Sequence, residues 1–311
     1  MNDMKPLDLS VVIVNWNTKD LLLESLASVY DTIKGITFEV WVVDNASSDD
    51  SVQVANNKFP KVNYIENNRN LGFAAANNIA FREMKGRYAL LLNTDAILLD
   101  GAVEELFYYM EANPDSGTSC GQLLNTDNSK QNSIANFPTL LSLVSNETLL
   151  RILFPKRYPS KRRKYSSPVE IESCIGACMM VRKEAMDKVG FFDEMYFFFF
   201  EETDWAYRMN QKGWKVCFVP TSKIIHAQGK SAGPSAKSRI MFYRSRYIYF
   251  KKWNPKSYPI YFFVLFIRLL INTVLSLIGI IFTLGLNKEL LNRFKVYFQL
   301  IIWHFKGCPD E

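Results

Sequence analysis

Four short apolar runs constrain this chain more than any other feature: Val11 to Val14, Val40 to Val43, Val62 to Ile65 and Tyr88 to Leu92. They are continuous rather than alternating in polarity, and rich in β-branched residues. Strands covered on both faces read this way, because neither face meets water. Helical stretches separate them. Thr18 is placed to cap Leu21 to Ile33, Ser48 or Asp49 to cap Val52 to Phe59, and Asp100 to cap Val103 to Ala112 ahead of Pro114, while Gly72 to Met84 supplies the remaining helix. Alternating strand and helix predict an α/β, doubly wound sheet.

Each run is followed by polar residues: Asn15 and Asn17, Asp44 and Asn45, Asn67 to Asn70, Asn93 and Asp95. Turn chemistry alone explains any single cluster. Four in series deliver amides and carboxylates to one sheet edge, and open α/β sheets bind ligands at the carboxyl ends of their strands. Asn93-Thr94-Asp95 follows the fourth run directly, where a carboxylate beside a second polar group suits a hard divalent cation bridging two phosphates. The first run is followed by Asn15-Trp16-Asn17-Thr18, without the GxGxxG of a dinucleotide-dependent oxidoreductase. The Gly-rich basic loop of a nucleotidyltransferase is missing there too.

Glu201, Glu202 and Asp204 follow the apolar run Phe197 to Phe200. Acids crowded at the mouth of an apolar wall repel one another and lose water, and both effects raise a pKa toward the range of a general base. An acid-rich helix N-terminus gives the same pattern without chemistry. His226 closes a strand-like segment ahead of Gly229-Lys230-Ser231, where a lone histidine taken by itself reads as a core or surface residue.

The chain of 311 residues carries a net charge of +6, which fits nucleotides, diphosphates or acidic lipid and lacks the concentrated basic module of a nucleic-acid binder. Five cysteines without CxxC or zinc-site spacing read as reduced thiols in a cytosolic setting, and the polar start with its short apolar run is not a secretion signal. Residues 126–168 read as an irregular insertion with a basic run, Lys156, Arg157 and Lys161 to Lys164, and residues 170–226 as a further α/β portion. Arg244, Arg246, Lys251 and Lys252 alternate with Tyr243, Tyr247, Tyr249 and Phe250, a pattern open to a diphosphate clamp, a headgroup contact or a basic helix face.

Ile260 to Leu286 holds one charge, Arg268, over a length that exceeds the roughly 20 residues a membrane span needs. Lys251, Lys252 and Lys256 precede it and Lys288, Arg293 and Lys295 follow, so a single span breaks the positive-inside pattern. With the aromatic, amphipathic Phe294 to Phe305, this tail is read as helices lying in or re-entering the membrane interface. A true span and a soluble helical subdomain are the alternatives. The division expected is residues 1–250 as catalytic domain and 251–311 as membrane-associated tail.

Taken together, Val14-Asn15-Trp16-Asn17, Val43-Asp44-Asn45-Ala46-Ser47-Ser48-Asp49, Asn68-Arg69-Asn70-Leu71-Gly72-Phe73-Ala74, Leu92-Asn93-Thr94-Asp95, Gly176-Ala177-Cys178, Phe200-Glu201-Glu202-Thr203-Asp204-Trp205 and His226-Ala227-Gln228-Gly229-Lys230-Ser231 resemble glycosyltransferase family 2, in particular its rhamnosyltransferase-like branch. The resemblance covers roughly residues 8–250. It implies the GT-A fold, a Rossmann-like nucleotide-diphospho-sugar transferase sheet, and transfer with inversion at the anomeric carbon. Asp44 resembles the residue that binds the donor's pyrimidine base, with Val14, Asn15, Asn17 and Asn45 beside it. Asn70, Gly72 and Phe73 resemble the loop against nucleotide and sugar; Asn93, Thr94 and Asp95 stand where the family has Asp-x-Asp, with Asn in its first position. Asp95, with His226, is then the ligand of Mn2+ or Mg2+, Glu202 the general base with Asp204 as the fallback, and Glu201 the neighbouring acid. The expected donor is a UDP- or dTDP-sugar. The expected acceptor is a glycan or polyprenyl-diphosphate-linked glycan in cell-surface polysaccharide assembly, at the cytoplasmic face of a membrane. A degenerate, membrane-bound nucleotide-sugar binder is the alternative; no nucleic acid is expected.

Overall fold

A computed structural model of the chain describes residues 7–144, 150, 152–154, 164–227 and 235–309. It divides into two compact units. One takes in Met1–Phe137, Pro159–Phe197 and Glu201–Ser231; the other takes in Pro138–Tyr158, Phe198–Phe200 and Ala232–Glu311.

In the first unit, β1 (Leu9–Asn15), β2 (Phe38–Asp44), β3 (Asn63–Glu66) and β4 (Tyr88–Leu92) match the four apolar runs to within two or three residues. They lie parallel in the order β3-β2-β1-β4. Val11, Val12 and Ile13 are each at most 1% exposed; Val11 and Ile13 join one apolar cluster and Val12 the other. Successive side chains of a strand point to opposite faces, so a run with no polar member is the mark of a sheet dry on both sides.

The later α/β portion extends this same sheet. β10 (Cys178–Arg182) pairs antiparallel with β4 and with β6 (Ser116–Leu124), and β11 (Lys215–His226) runs parallel to β6. Short strands β5 (Ala96–Leu98) and β8 (Val169–Ile171) flank β11 antiparallel. β7 (Ile134–Ala135) and β9 (Ser173–Cys174) form a separate two-stranded ladder. These directions bring the ends of β1, β2, β3, β4 and β11, and the entrance to β10, to one edge of the sheet.

Helix starts depart from the expected caps. Thr18 is at the N-cap of the helix Lys19–Thr32, but its hydroxyl donates to Asn15 Oδ1 at 2.8 Å instead of capping the helix. The helices Ser51–Lys58 and Ala102–Ala112 begin at Asp50 (φ 59) and Gly101 (φ 77), each one residue or more beyond Ser48, Asp49 or Asp100. In both places the chain enters the helix through a left-handed residue, which shifts the cap along the chain. Gly72 precedes the helix Phe73–Glu83.

Within the expected insertion lie β7 and a short helix, Leu140–Val144. Its basic run is outside the described residues except for the exposed Lys164, and Gly229-Lys230-Ser231 also falls outside them.

The second unit holds the helices Ala236–Trp253, Tyr258–Phe282 and Lys288–Phe305. Ser235 Oγ caps the first by accepting from Ser238 N–H at 3.1 Å, and Asn287 Oδ1 caps the third by accepting from Glu289 and Leu290 N–H. Tyr247, Phe250, Tyr261, Leu265, Leu269, Leu300 and Trp303 are buried at their contacts. Tyr258–Phe282 is, among the described residues, the one helix long and apolar enough to cross a membrane.

Candidate active site

At the β1–β2 edge, Asn15 and Asp44 are register partners and both are buried. Asn15 Nδ2 lies 2.7 Å from Asp44 Oδ1 and 2.7 Å from Ser51 Oγ, donating to both. Asp44 Oδ1 also accepts from the Ser47 hydroxyl at 2.6 Å, and Oδ2 accepts from Ser47 N–H at 2.8 Å. A carboxylate offers about four acceptor positions, so Oδ2 keeps room for a ligand N–H. Asn17, at φ 52 and exposed, accepts from Ser48 N–H at 2.7 Å and completes the turn around this floor. Val14 is the partly buried residue ahead of it.

Asn45 points elsewhere. Its Nδ2 donates to Gly72 O at 3.1 Å and its Oδ1 accepts from Asn67 Nδ2 at 2.9 Å, so it ties the end of β2 to the Asn67–Gly72 loop. Asn70 Oδ1 accepts from Gly72 N–H at 2.9 Å within that loop. Gly72 has φ 84, and Phe73 N–H donates to Phe197 O at 2.7 Å.

The β4 end supplies the second cluster. Asn93 N–H donates to Ala177 O at 2.9 Å, while its buried Oδ1 has no hydrogen-bond partner among the described residues. The Thr94 and Thr18 hydroxyls lie 3.1 Å apart. Asp95 is 2% exposed. Because β5 runs antiparallel to β11, with Ala96 opposite His226, Asp95 is carried next to the end of β11. Ala227 N–H donates to Asp95 O at 2.9 Å, and His226 Nε2 lies 3.4 Å from Asp95 Oδ1. The other ring nitrogen, Nδ1, is 2.7 Å from Gln131 Oε1. Gln131, in the stretch read as an irregular insertion, carried no signal in the sequence. Both Asp95 Oδ1 and His226 Nε2 are donors to divalent ions, and their separation lets one ion with bonds of about 2.0–2.2 Å reach both. Among the described residues no group of three or more His, Cys, Asp or Glu stands together, so further ligands would come from phosphate or water.

The acids lie in the first turn of the helix Glu201–Gln211. Trp205 anchors this helix: it is fully buried, stacks on Phe81, and donates its indole N–H to Gly190 O at 2.7 Å. Asp204, also fully buried, accepts from Tyr196 Oη at 3.3 Å and from Arg208 Nε at 2.8 Å. Arg208 in turn donates to Val189 O and Phe191 O, at 3.0 and 2.7 Å. Asp204 therefore holds the helix in place. Burial first, and then the Glu202 charge, push the Glu201 carboxyl well above the usual carboxylate range, and its Oε2 has no hydrogen-bond partner among the described residues. Burial pushes Glu202 up to about 7. A Cβ on Gly176 would lie 3.6 Å from Glu202 Cγ. Ala177, next in sequence, accepts the Asn93 N–H, so Glu202 and Asn93–Asp95 flank the same strand entrance.

Residues 10–190 match the family model described as glycosyl transferase family 2. The chain is 26% identical over 226 residues to the N-acetylglucosaminyl-diphospho-decaprenol L-rhamnosyltransferase of Mycobacterium tuberculosis, covering 68% of this chain and 73% of that protein. It is 28% identical over 166 residues to the rhamnosyltransferase WbbL of Escherichia coli, covering 50% of this chain and 60% of that one. Its fold is similar to the crystal structure of GalNAc-T7 with UDP, GalNAc and Mn2+, at a TM-score of 0.56 and 17% identity, over 80% of this chain and about half (51%) of that one.

Proposed function

The chain belongs to glycosyl transferase family 2, and from this we infer that it moves a hexosyl group, rhamnose or another hexose, from a UDP- or dTDP-sugar to a glycan or polyprenyl-diphosphate-linked acceptor, with inversion at the anomeric carbon. The observation that carries the reading is the convergence, at one sheet edge, of the Asn15–Asp44 floor, the Asp95–His226 pair 3.4 Å apart, and a Glu202 carboxyl raised to about 7.

In this reading the free side of Asp44 Oδ2 accepts an N–H of the pyrimidine, and Gly72 lets the backbone lie close to the nucleotide. Asp95 and His226 would hold the divalent ion, and the imidazole would favour Mn2+ over Mg2+ because Mg2+ prefers oxygen ligands. When bound, the ion neutralises charge on the departing diphosphate. Glu202 takes the proton of the acceptor hydroxyl as that oxygen attacks C1. The C1–O bond to the diphosphate breaks on the opposite face and the leaving group takes its electron pair, so configuration inverts. A pKa near 7 leaves Glu202 ionised enough to act and basic enough to accept the proton.

The acceptor class is supported by the mycobacterial relative, an N-acetylglucosaminyl-diphospho-decaprenol L-rhamnosyltransferase. The apolar helix Tyr258–Phe282 and the twelve Lys or Arg against one acid, Glu289, between residues 235 and 309 support work at the cytoplasmic surface of a membrane. The test is a thermal-shift panel of UDP, dTDP, GDP and CMP, each with and without Mn2+. A metal-dependent rise with one pyrimidine diphosphate, absent in Asp95→Ala, is the expected result. No rise with any of the four would count against a nucleotide-sugar donor, and a rise in a chain that transfers no sugar would count for the degenerate binder instead.

A further inference from the structure

We propose that Gln131 is a positioning residue for the metal site: it fixes the His226 tautomer that leaves Nε2 bare toward Asp95. The inference rests on the metal reading of the Asp95–His226 pair given above. Gln131 is 8% exposed, and all its side-chain contacts are internal. Its Nε2 is 3.1 Å from the His226 backbone oxygen and 2.8 Å from Asn125 Oδ1, and its Oε1 is 2.7 Å from His226 Nδ1. A backbone carbonyl can only accept, so the amide nitrogen must face it. That fixes the amide orientation and leaves the oxygen toward the ring.

An amide oxygen can only accept as well. His226 Nδ1 must therefore carry a hydrogen, and in the neutral imidazole Nε2 then presents its lone pair. That lone pair faces Asp95 Oδ1, itself an acceptor, 3.4 Å away. Two acceptors facing one another form no hydrogen bond between them, and a cation placed between them would draw on both. Gln131 thus keeps the pair from closing on itself. Were Nε2 the protonated atom, it would donate to Asp95 and the two ligands would satisfy each other. Metal-ligating histidines usually donate their second N–H to a carbonyl or carboxylate, which sets tautomer and ring orientation.

The contact also spans the fold economically. Gln131 N–H donates to Leu123 O at 2.9 Å, fastening it to the end of β6, the strand that runs beside β11. One residue thus holds His226 at two points, its backbone oxygen and its ring Nδ1.

The experiment uses the full chain, labelled with 15N-histidine, and Mn2+ alone as the probe. There are two histidines, and a His304→Gln variant assigns the signals. In metal-free wild type, long-range 1H–15N spectra should show His226 as the Nδ1–H tautomer. Gln131→Leu should move His226 toward Nε2–H and weaken Mn2+ binding, read by calorimetry, about 10–100-fold. Gln131→Glu, which keeps an acceptor at Nδ1 but loses the donor to the His226 carbonyl, should keep the Nδ1–H tautomer that Gln131→Leu loses; a role in folding alone would not distinguish these two variants. An unchanged tautomer in a folded Gln131→Leu protein overturns the proposal. A tautomer that shifts as expected in a chain that never binds Mn2+ would uphold the grip on His226 and overturn the metal reading instead.

Discussion

The Phe73 backbone N–H donates to the Phe197 carbonyl at 2.7 Å, joining the loop after β3 to the segment that leads into Glu201. The approach is possible because Gly72 has no side chain: a Cβ there would collide with Phe197 O and come within 2.8 Å of the Phe197 ring. Gly72 is also at φ 84, a backbone that side chains disfavour. Gly72→Ala is expected to cost about 1–3 kcal/mol in urea unfolding, and to raise the KM for the donor several-fold. A variant that unfolds with wild type would show that the two segments part without penalty.

Glu202 sets the pH dependence. Its carboxyl is raised to about 7, with burial as the main cause. The base must be ionised, so kcat/KM should rise with pH and level off above about 7. Glu202→Gln should lower kcat by about 100- to 10,000-fold and abolish that rise. Stability runs the other way. A carboxyl whose folded pKa lies above its unfolded value of 4.5 favours the fold below that value, and the contribution is lost as pH rises toward 7. Glu202→Gln should therefore melt higher than wild type at pH 8 and show no such gain at pH 4. Equal melting shifts at both pH values would contradict the assignment.

Asp204 should behave differently from Glu202, although only Thr203 separates them. Its partner Arg208 Nε is 2.8 Å away, and the Asp204 side chain is completely buried. Removing one member of a buried ion pair leaves an uncompensated charge, at a cost of about 3–5 kcal/mol. Arg208→Met should destabilise by that order, and Asp204→Asn should lose its activity in step with its loss of folded protein. Any Asp204→Asn protein that remains folded below its melting point should retain its pH profile. Loss of the profile in folded Asp204→Asn would return the base to Asp204.

These contrasts show what the sequence carries. β1 to β4 were legible because a sheet dry on both faces leaves unbroken apolar runs, and the polar residues at their ends mark one edge whichever helices intervene. The Asp95–His226 pair came only from family resemblance, since 131 residues separate them and the antiparallel pairing of β5 with β11 is what joins them. Gln131 was illegible for the same reason: a glutamine 95 positions from its histidine acquires meaning only through the β6–β11 ladder. The structural role of Asp204 was hidden because three acids in a first turn look alike until Arg208 selects one. The misplaced caps at Asp50 and Gly101 reflect left-handed turns, to which apolar periodicity is blind.

The second unit should bind membranes through charge and apolar surface together. Ile271, Leu275 and Ile278 of the helix Tyr258–Phe282 are 53%, 59% and 42% exposed, an apolar face that water does not favour. The surrounding residues, 235–309, hold twelve cations and one acid. Near an anionic bilayer each cation contributes about 1 kcal/mol, falling off within a screening length. The full chain should therefore co-sediment with phosphatidylglycerol vesicles at least about tenfold more strongly than with phosphatidylcholine vesicles, and high salt should narrow that gap because it screens the charges. Ile271→Ser combined with Ile278→Ser should weaken binding to both vesicle types while leaving the salt dependence in place. A chain released from vesicles by salt alone lies on the surface through its charges; one that resists both salt and alkaline carbonate spans the bilayer. One that binds neither vesicle would remove the membrane from the proposed function and leave a soluble acceptor as the substrate to seek.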